Sequence, residues 1–556
     1  MDILRDWISR LGGVVWGWPE TAPLLVLLLL GTGLVTTFYM GWIQLRRFRH
    51  GVEVIRGKYD DPEDAGDITH FQALTTALSA TVGIGNIAGV ATAIHYGGPG
   101  ALFWMWVTAV FGMALKFAEC TLSMRFRAIL PNGEASGGPM YYIEQGLGRS
   151  WKPLAVFFAV CAVVSSFGQG NAVQAFTVAD QFRVDLGVPT YLTGAVMVTL
   201  VGLVILGGIR RIGEVTSRLT PFMAATYVAG ALLVLLADYT HVIPTIGLVV
   251  RSAFQPAAEV GGFAGGAFIF MLTWGVKRGL FSNESGQGSA PIAHAAAKTK
   301  EPVREGVVAM LGPFIDTLLI CTLTGLVILI TGVWKDRKEE TVPLTPQTAV
   351  TVVRLGAAIE PNGVTPEAAL FTGEARFNDG RSDEVAFVRN HSVVEGEVLF
   401  NGAGLPFTGP LPIEGGTIDY TEAPDLSLGG KMAQNGSPLT SWAFERGLGF
   451  LGGGGRYIVT LAVFLFGIST AISWSYYGDR SITYLAGPAW VKPYKALYLA
   501  MHFLGAVFPL EIVWGFGDVA LGLMALPNLI AILFLLPTVR ALTREYFSRE
   551  QIPYRK

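Results

Sequence analysis

The chain has 556 residues, 51% of them hydrophobic and 15% charged, with a net charge of −2 and a mean hydropathy of +0.47. This composition excludes a soluble enzyme with one anchor and describes a protein embedded in a lipid bilayer, with no nucleic-acid partner expected. Cys120, Cys161 and Cys321 are scattered through apolar segments, so neither a disulfide framework nor a metal cluster is expected.

Met1–Pro19 is Trp-rich and carries Asp2, Arg5 and Asp6. It lacks a basic stretch leading into a cleavable apolar core, so no removed signal peptide is expected. Eleven apolar segments are then long enough to span, at 21–45, 70–95, 100–125, 152–181, 189–208, 217–238, 263–297, 305–333, 457–479, 494–510 and 514–539. About 20 residues cross the hydrocarbon core.

The second segment holds Ser79–Gly89 (SATVGIGNIAG). Glycines 83, 85 and 89 weaken a helix by about 1 kcal/mol each relative to alanine. In lipid, the backbone groups they release need another partner. Close glycine packing between helices is an alternative explanation for Gly89. A dinucleotide-binding turn is excluded, because the spacing G-x-G-x-x-x-G is one residue too long and no parallel sheet surrounds it. The segment 263–297 is too long for one straight crossing. It contains a second break at Gly279–Pro291 (GLFSNESGQGSAP). Two interrupted helices about 200 residues apart are the pattern of a secondary transporter with its site at the bilayer midplane.

With the first segment set aside, the remaining ten form two groups of five, each opening on a broken helix. An odd number of crossings separates the breaks, so the groups run in opposite senses. The expected fold is an all-α integral membrane protein of 11 transmembrane helices. The expected domains are an outer segment 1–20, an extra helix 21–45, a first five-helix repeat 70–238, a second repeat 263–333 and 457–539, an insertion 334–456 and a tail 540–556. With the N-terminus outside, the inner loops 46–68, 125–152, 209–218, 298–304 and 480–495 and the tail carry 23 Lys/Arg. The short outer segments 1–20, 96–99, 182–188, 239–262 and 511–513 carry four, namely Arg5, Arg10, Arg183 and Arg251. That bias predicts a multi-pass cell-membrane protein with the C-terminus in the cytoplasm.

Residues 334–456 are polar, Gly/Pro-rich and acidic, with sixteen Asp/Glu against nine Lys/Arg between Lys335 and Arg446. Glu384–Phe400 alternates and is Val-rich, which predicts strands. The region is expected outside, as a cap that binds a partner or collects substrate, or as a tolerated loop insertion.

Ionisable groups inside the membrane are costly and therefore candidates for function. Glu284, in the second break, could balance Lys277 or Arg278, brace the unwound backbone or accept a proton. Lys116 and Glu119, spaced i, i+3, are expected to pair. Asp316 stands isolated in its segment and is a candidate for a cation-linked or gating carboxylate, or for a structural hydrogen bond. Gln169 is a mid-membrane amide, suited to a ligand or to a helix–helix hydrogen bond. Thr470 and Ser473 share a helix face, where hydroxyls also bond back to the preceding turn. Trp474 could wall a pocket or simply pack. Gly83, Gly85 and Asn86 sit where free backbone groups are expected. Asn86 offers both a donor and an acceptor.

Thr81–Ile94 (TVGIGNIAGVATAI), Gly97–Gly112 (GGPGALFWMWVTAVFG), Gly137–Glu144 (GGPMYYIE) and Gly279–Pro291 closely resemble the alanine/glycine:cation symporter family. The resemblance covers the chain outside 334–456, where the insertion departs from the compact family pattern. It implies a LeuT-type inverted repeat that imports small neutral amino acids with Na⁺ as the coupling ion, or with H⁺, and holds no prosthetic group. It also implies substrate contacts from Gly83, Ile84, Gly85, Asn86, Gln169, Phe281, Thr470 and Trp474. The Na⁺ ligands it implies are Ser469, Thr470 and Ser473 with carbonyls near Ala80 and Gly83. Hard oxygen ligands suit a hard cation.

Two other classes remain. A membrane-embedded hydrolase could use Ser289 and His294, but on a helix five residues leave them about 140° apart. A passive channel could line a pore with the two breaks.

Overall fold

The computed structural model describes residues 2–19, 23–254, 268–345, 348, 350–356, 369–390, 392–418, 425–508 and 510–554. The start of the seventh apolar segment (263–267) and parts of 334–456 lie outside these residues. The principal helices are α1 Asp2–Gly17, α2 Leu24–Tyr39, α3 His70–Thr81, α4 Ala88–Gly97, α5 Gly100–Arg125, α6 Arg149–Leu186, α7 Thr190–Ile205, α8 Gly208–Ala237, α9 Phe268–Asn283, α10 Ala290–His294, α11 Pro302–Ile330, α12 Gly436–Gly447, α13 Arg456–Ala486, α14 Val491–Val507 and α15 Leu510–Ser548. Six of the described helices are long and apolar enough to cross a membrane: α5, α6, α8, α11, α13 and the part of α15 from Gly515. The bent pair of α3 with the stretch Ile84–Gly97 makes a seventh. The other expected crossings fall on the shorter helices α2, α7, α9 and α14.

The first break follows from local chemistry. Thr69 starts α3 with a capping box: its hydroxyl accepts from the Gln72 N–H while its own N–H donates to the Gln72 side chain. The helix stops at Val82, Gly83 is extended, and a single tight turn at Ile84–Asn86 leads into α4 at a bend of 60°. Gly89, expected in the break, lies inside α4, where an added Cβ would meet only Arg278 Cδ at 3.9 Å. Ordinary contact there lets the second half-helix start earlier.

The second break is also shorter than 279–291. Gly279–Asn283 remain helical and the chain unwinds over Glu284–Ser289. Three residues there have positive φ, Glu284 at 54°, Gly286 at 78° and Gly288 at 88°. Glycine fits the last two on conformational and steric grounds. A Cβ on Gly288 would come within 2.6 Å of Pro139 Cγ. Pro291 then opens α10 in its first turn, where its missing N–H costs nothing.

Several charged stretches read as loops are helical. Residues 209–218 are the first turns of α8, Arg183 lies in the last turn of α6, Arg480 lies within α13, and residues 540–548 extend α15. Hydropathy marks where a helix leaves the hydrocarbon, whereas charged residues at its ends prolong it into water. The N-terminal segment likewise folds, as α1 against α15. The buried Trp16 donates its indole N–H to the Asp518 carbonyl at 2.8 Å.

The described residues of 338–432 form three three-stranded antiparallel sheets. One orders Lys338–Pro343, Ser427–Met432, Glu395–Phe400; the second Val350–Arg354, Val385–Arg389, Ser392–Val393; the third Thr417–Ile418, Gly409–Glu414, Gly373–Phe377. Val352, Phe387, Leu399, Leu411 and Leu428 belong to a hydrophobic core separate from that of the helices. Pro343 stands opposite Ser427 in an antiparallel pair. Joining these two residues through an Asn-Gly turn should therefore delete 344–426 without moving the helices. The expected product is monodisperse in detergent with the parent's helical circular dichroism; an aggregated product means that the sheets support the helical core.

Candidate functional site

The two breaks face each other across a buried polar cluster. The Gly83 N–H, left without a helical partner, donates to Asn86 Oδ1 at 2.8 Å. Asn86 Nδ2 donates to Asp316 Oδ1 at 2.6 Å and to Ser282 Oγ at 3.1 Å. Ser282 and Thr317 each donate a hydroxyl to Asp316 Oδ2, at 2.6 and 2.7 Å. Asp316 is thus not isolated: it joins the first break, the end of α9 and the irregular π-type turn Phe314–Cys321 of α11. Gly85 allows this approach, since a Cβ there would stand 3.3 Å from the Phe281 carbonyl oxygen. Ile84 and Phe281 are buried beside it, and the Arg278 guanidinium lies 5.2 Å from the Phe281 ring centroid.

On the other side of the first break stands α13. Ser469 Oγ bonds to the carbonyls of Ser79 at 3.2 Å and Phe466 at 3.2 Å, and Thr470 Oγ1 bonds to Ser79 O at 3.1 Å. Ser79 Oγ returns a bond to Ser469 O at 2.8 Å. Three hydroxyl and three carbonyl oxygens therefore gather where α3 meets α13. The carbonyl supplied by α3 is that of Ser79 rather than that of Ala80, because Ser79 is the residue of α3 turned toward α13. Gly83 completes the contact: a Cβ there would lie 2.5 Å from Thr470 Oγ1. Ser473 Oγ is buried and makes no hydrogen bond.

Trp474 is fully buried on Gly170, whose added Cβ would stand 2.1 Å from the indole Cγ. Its indole N–H donates to Glu284 Oε1 at 2.9 Å, and Ser289 donates to Glu284 Oε2 at 2.5 Å. Glu284 therefore balances neither Lys277 nor Arg278; Lys277 pairs with Asp518 at 2.5 Å. Glu284 instead ties the second break to α13. Ser289 serves that carboxylate while His294 bonds Glu305 at 2.5 Å, so the two do not form a nucleophile–base pair. Lys116 Nζ lies 4.0 Å from Glu119 Oε1 as the spacing predicts. Glu119 also accepts from Asn528 Nδ2 at 2.8 Å. Lys116 acts electrostatically on Glu119, Glu284 and Asp316 alike. Three buried carboxyl groups thus share one ammonium, an arrangement that favours uptake of a cation or proton.

Sequence reasoning chose Gln169 and missed Gln174. Both are buried, and the carbonyl oxygen of each side chain lacks a hydrogen-bond partner. Gln174 is the one aimed at the first break, its Oε1 3.6 Å from where a Gly83 Cβ would stand, while its Nε2 donates to the Gln169 carbonyl at 3.1 Å. The π-type turn Gly168–Ala172 rotates the helix face between the two. Ser79, Ser282 and Thr317 were missed as well, since hydroxyls in apolar helices carry no distinguishing signal.

A sequence profile described as the sodium:alanine symporter family matches residues 1–362 and 425–554, leaving 363–424 unmatched. The chain is 37% identical over 546 residues to a transporter of Haemophilus influenzae named without a substrate, covering 98% of this chain and 96% of the relative. It is 36% identical over 541 residues to the sodium/alanine symporter AgcS of Methanococcus maripaludis, covering 97% and 96%. It is 30% identical over 525 residues to the amino-acid carrier protein AlsT of Bacillus subtilis, covering 94% and 89%.

The close packing at Trp474 sets a test of the site's rigidity. Gly170→Ala overpacks a full core and should cost about 1–3 kcal/mol. Gly31→Ala in α2, where nothing lies within 4 Å, should cost nothing or stabilise slightly. Thermal melting in detergent reads the difference, and equal melting of the two variants would show that Trp474 yields freely.

Proposed function

Because this chain belongs to the sodium:alanine symporter family, we propose that it imports small neutral amino acids, alanine and glycine, across the cell membrane by symport with Na⁺. The chain is a multi-pass membrane transporter coupled to a cation and not an enzyme. The substrate and the ion are the parts proposed here.

The observation that carries the reading is the convergence of Ser79 O, Phe466 O, Ser469 Oγ and Thr470 Oγ1 between α3 and α13. All four are hard oxygens in a buried place, which suits Na⁺ over a softer metal. Ser473 Oγ adds a hydroxyl one turn on. The amino-acid cargo fits the neighbouring space by its charges. The backbone N–H groups of the first break offer donors to a carboxylate, and the unpartnered Gln174 oxygen offers an acceptor to an ammonium. Gln169 is kept as a second amide contact. Trp474, Phe281 and Ile84 set the apolar limit on the side chain. The three carboxyl groups around Lys116 also supply a place for a coupled proton, with Asp316 and Glu284 as its candidates, which keeps H⁺ as the alternative coupling ion.

In this reading the eleven apolar segments are eleven crossings. Two inverted sets of five, LeuT-like, follow an extra N-terminal helix. The basic loops place the C-terminus in the cytoplasm and the N-terminus and the β-rich insertion outside.

Uptake of labelled alanine into proteoliposomes tests the reading. It should require an inward Na⁺ gradient and fall to background when choline replaces Na⁺ at equal pH. Uptake unchanged by that replacement overturns Na⁺ coupling. Thr470→Val conserves volume and removes one hydroxyl ligand, a loss of about 1–3 kcal/mol. The half-activating Na⁺ concentration should rise roughly tenfold or more, while coincident activation curves exclude Thr470 as a ligand. Trp474→Ala should let valine compete with alanine uptake more strongly than it does in the parent, since a steric block has been removed.

A further inference from the structure

One buried cluster takes no part in the site above. Glu305, at the start of α11, is fully buried and bonds two histidines. One oxygen accepts from Nδ1 of His70, the first residue of α3; the other accepts from Nδ1 of His294, the last residue of α10, at 2.5 Å. These are the two half-helices that run from the breaks toward the face rich in basic loops. A single carboxylate therefore ties both of them to α11.

His70 Nε2 is buried without a hydrogen-bond partner, 3.9 Å from Asp60 Oδ1. The Asp60 side chain is 35% exposed and reaches solvent. A proton arriving at Nε2 would stand between two carboxylates. The other charged groups facing the cluster are Arg304 of α11, Arg127 after α5, and Asp64 and Asp67 through Arg127. Arg127 is engaged with the carbonyls of Ala295 and Ala297 at 2.8 and 2.7 Å, which anchors the end of α10 at the same place. On its inner side His294 borders a small cavity of about 10 Å³, shared with Ala77, Lys116 and Asn283, room for about one water.

We propose that His70, Glu305 and His294 form a proton-binding site that latches the cytoplasmic halves of the two broken helices to α11. The proton binds at His70 Nε2, exchanges with solvent through Asp60, and is not the proton of any symport step. With it, His70 is an imidazolium held by Glu305 and Asp60, and the path to the cytoplasm is closed. Without it the ion pair reduces to hydrogen bonds from neutral imidazoles to the carboxylate, and the half-helices separate more readily. The cell's own pH thus limits how fast cargo is released.

The inference rests on the transport reading for its meaning, but its test does not. A cysteine at Ala77, in α3 beside the cavity, reports opening through its rate of maleimide labelling in detergent, where no gradient exists. Asn carries its amide nitrogen where His carries Nδ1 and cannot be charged, so H70N/H294N keeps the bonds to Glu305 and loses the proton site. Between pH 8 and pH 6 the labelling rate in the native background, divided by the rate in H70N/H294N at the same pH, should fall several-fold. A ratio constant with pH would falsify the latch. The native protein gives a second measurement that needs no variant. Na⁺-driven alanine uptake should slow several-fold when only the internal pH is lowered from 8 to 6. Uptake indifferent to internal pH overturns the latch and leaves Na⁺ symport standing, while loss of Na⁺ dependence with pH-sensitive labelling overturns the transport reading alone.

Discussion

Water is absent from the hydrocarbon core, so every backbone group released by a helix break must be met by the protein itself. That constraint accounts for the buried polar residues gathered at the two breaks. Asn86 meets the Gly83 N–H; Ser469 and Thr470 meet the Ser79 carbonyl; Thr440 of α12 donates to the Ile87 carbonyl at 3.1 Å. At the second break Asn283 Oδ1 accepts from the Ser285 N–H at 3.0 Å, and Asn528 donates to the Gly286 carbonyl at 2.9 Å. Polar side chains on α9, α12, α13 and α15 thus serve the same two interruptions. A residue such as Asn528, remote in sequence and buried in an apolar helix, has its place because Gly286 does.

The same arrangement makes the site demanding of charge. Each patch that stabilises a break brings an oxygen, and three of the patches are carboxyl groups, Glu119, Glu284 and Asp316, with Lys116 as the basic group common to them. Isolated carboxylates in a low-dielectric interior are costly. A bound cation offsets that cost, and so does a proton. On the proposed reading, coupling to an ion follows from how the breaks are braced, and an amino acid's ammonium adds to the same balance.

What was legible in the sequence was the rhythm of the chain: apolar lengths and glycine clusters where no helix should tolerate them. Those signals are local. The meaning of single residues was less legible because their partners are distant. Asp316 looks isolated along its segment, yet its partner Asn86 lies 230 residues away. Glu284 seemed bound to its neighbours Lys277 and Arg278 and instead meets Trp474, 190 residues on. Gln174 was passed over for Gln169 because a π-type turn changes which face of α6 looks inward, and no periodicity announces such a turn in advance. Gly89 was placed in the break because composition shows glycine's permissiveness and not its surroundings.

The two half-helices of the first span are fastened differently at their far ends. α3 begins at His70, held by a buried carboxylate. α4 ends near His95, whose Nε2 bonds the Asn390 carbonyl of the β-rich region at 2.8 Å, and Tyr96, which stacks on Trp274 of α9 at 4.4 Å between ring centroids. One fastening is ionic and enclosed; the other is aromatic and made in part by residues 363–424, which the family profile leaves unmatched. A helix broken in its middle can release either end without unwinding the other. Because the fastenings differ in kind, conditions that loosen one need not loosen the other.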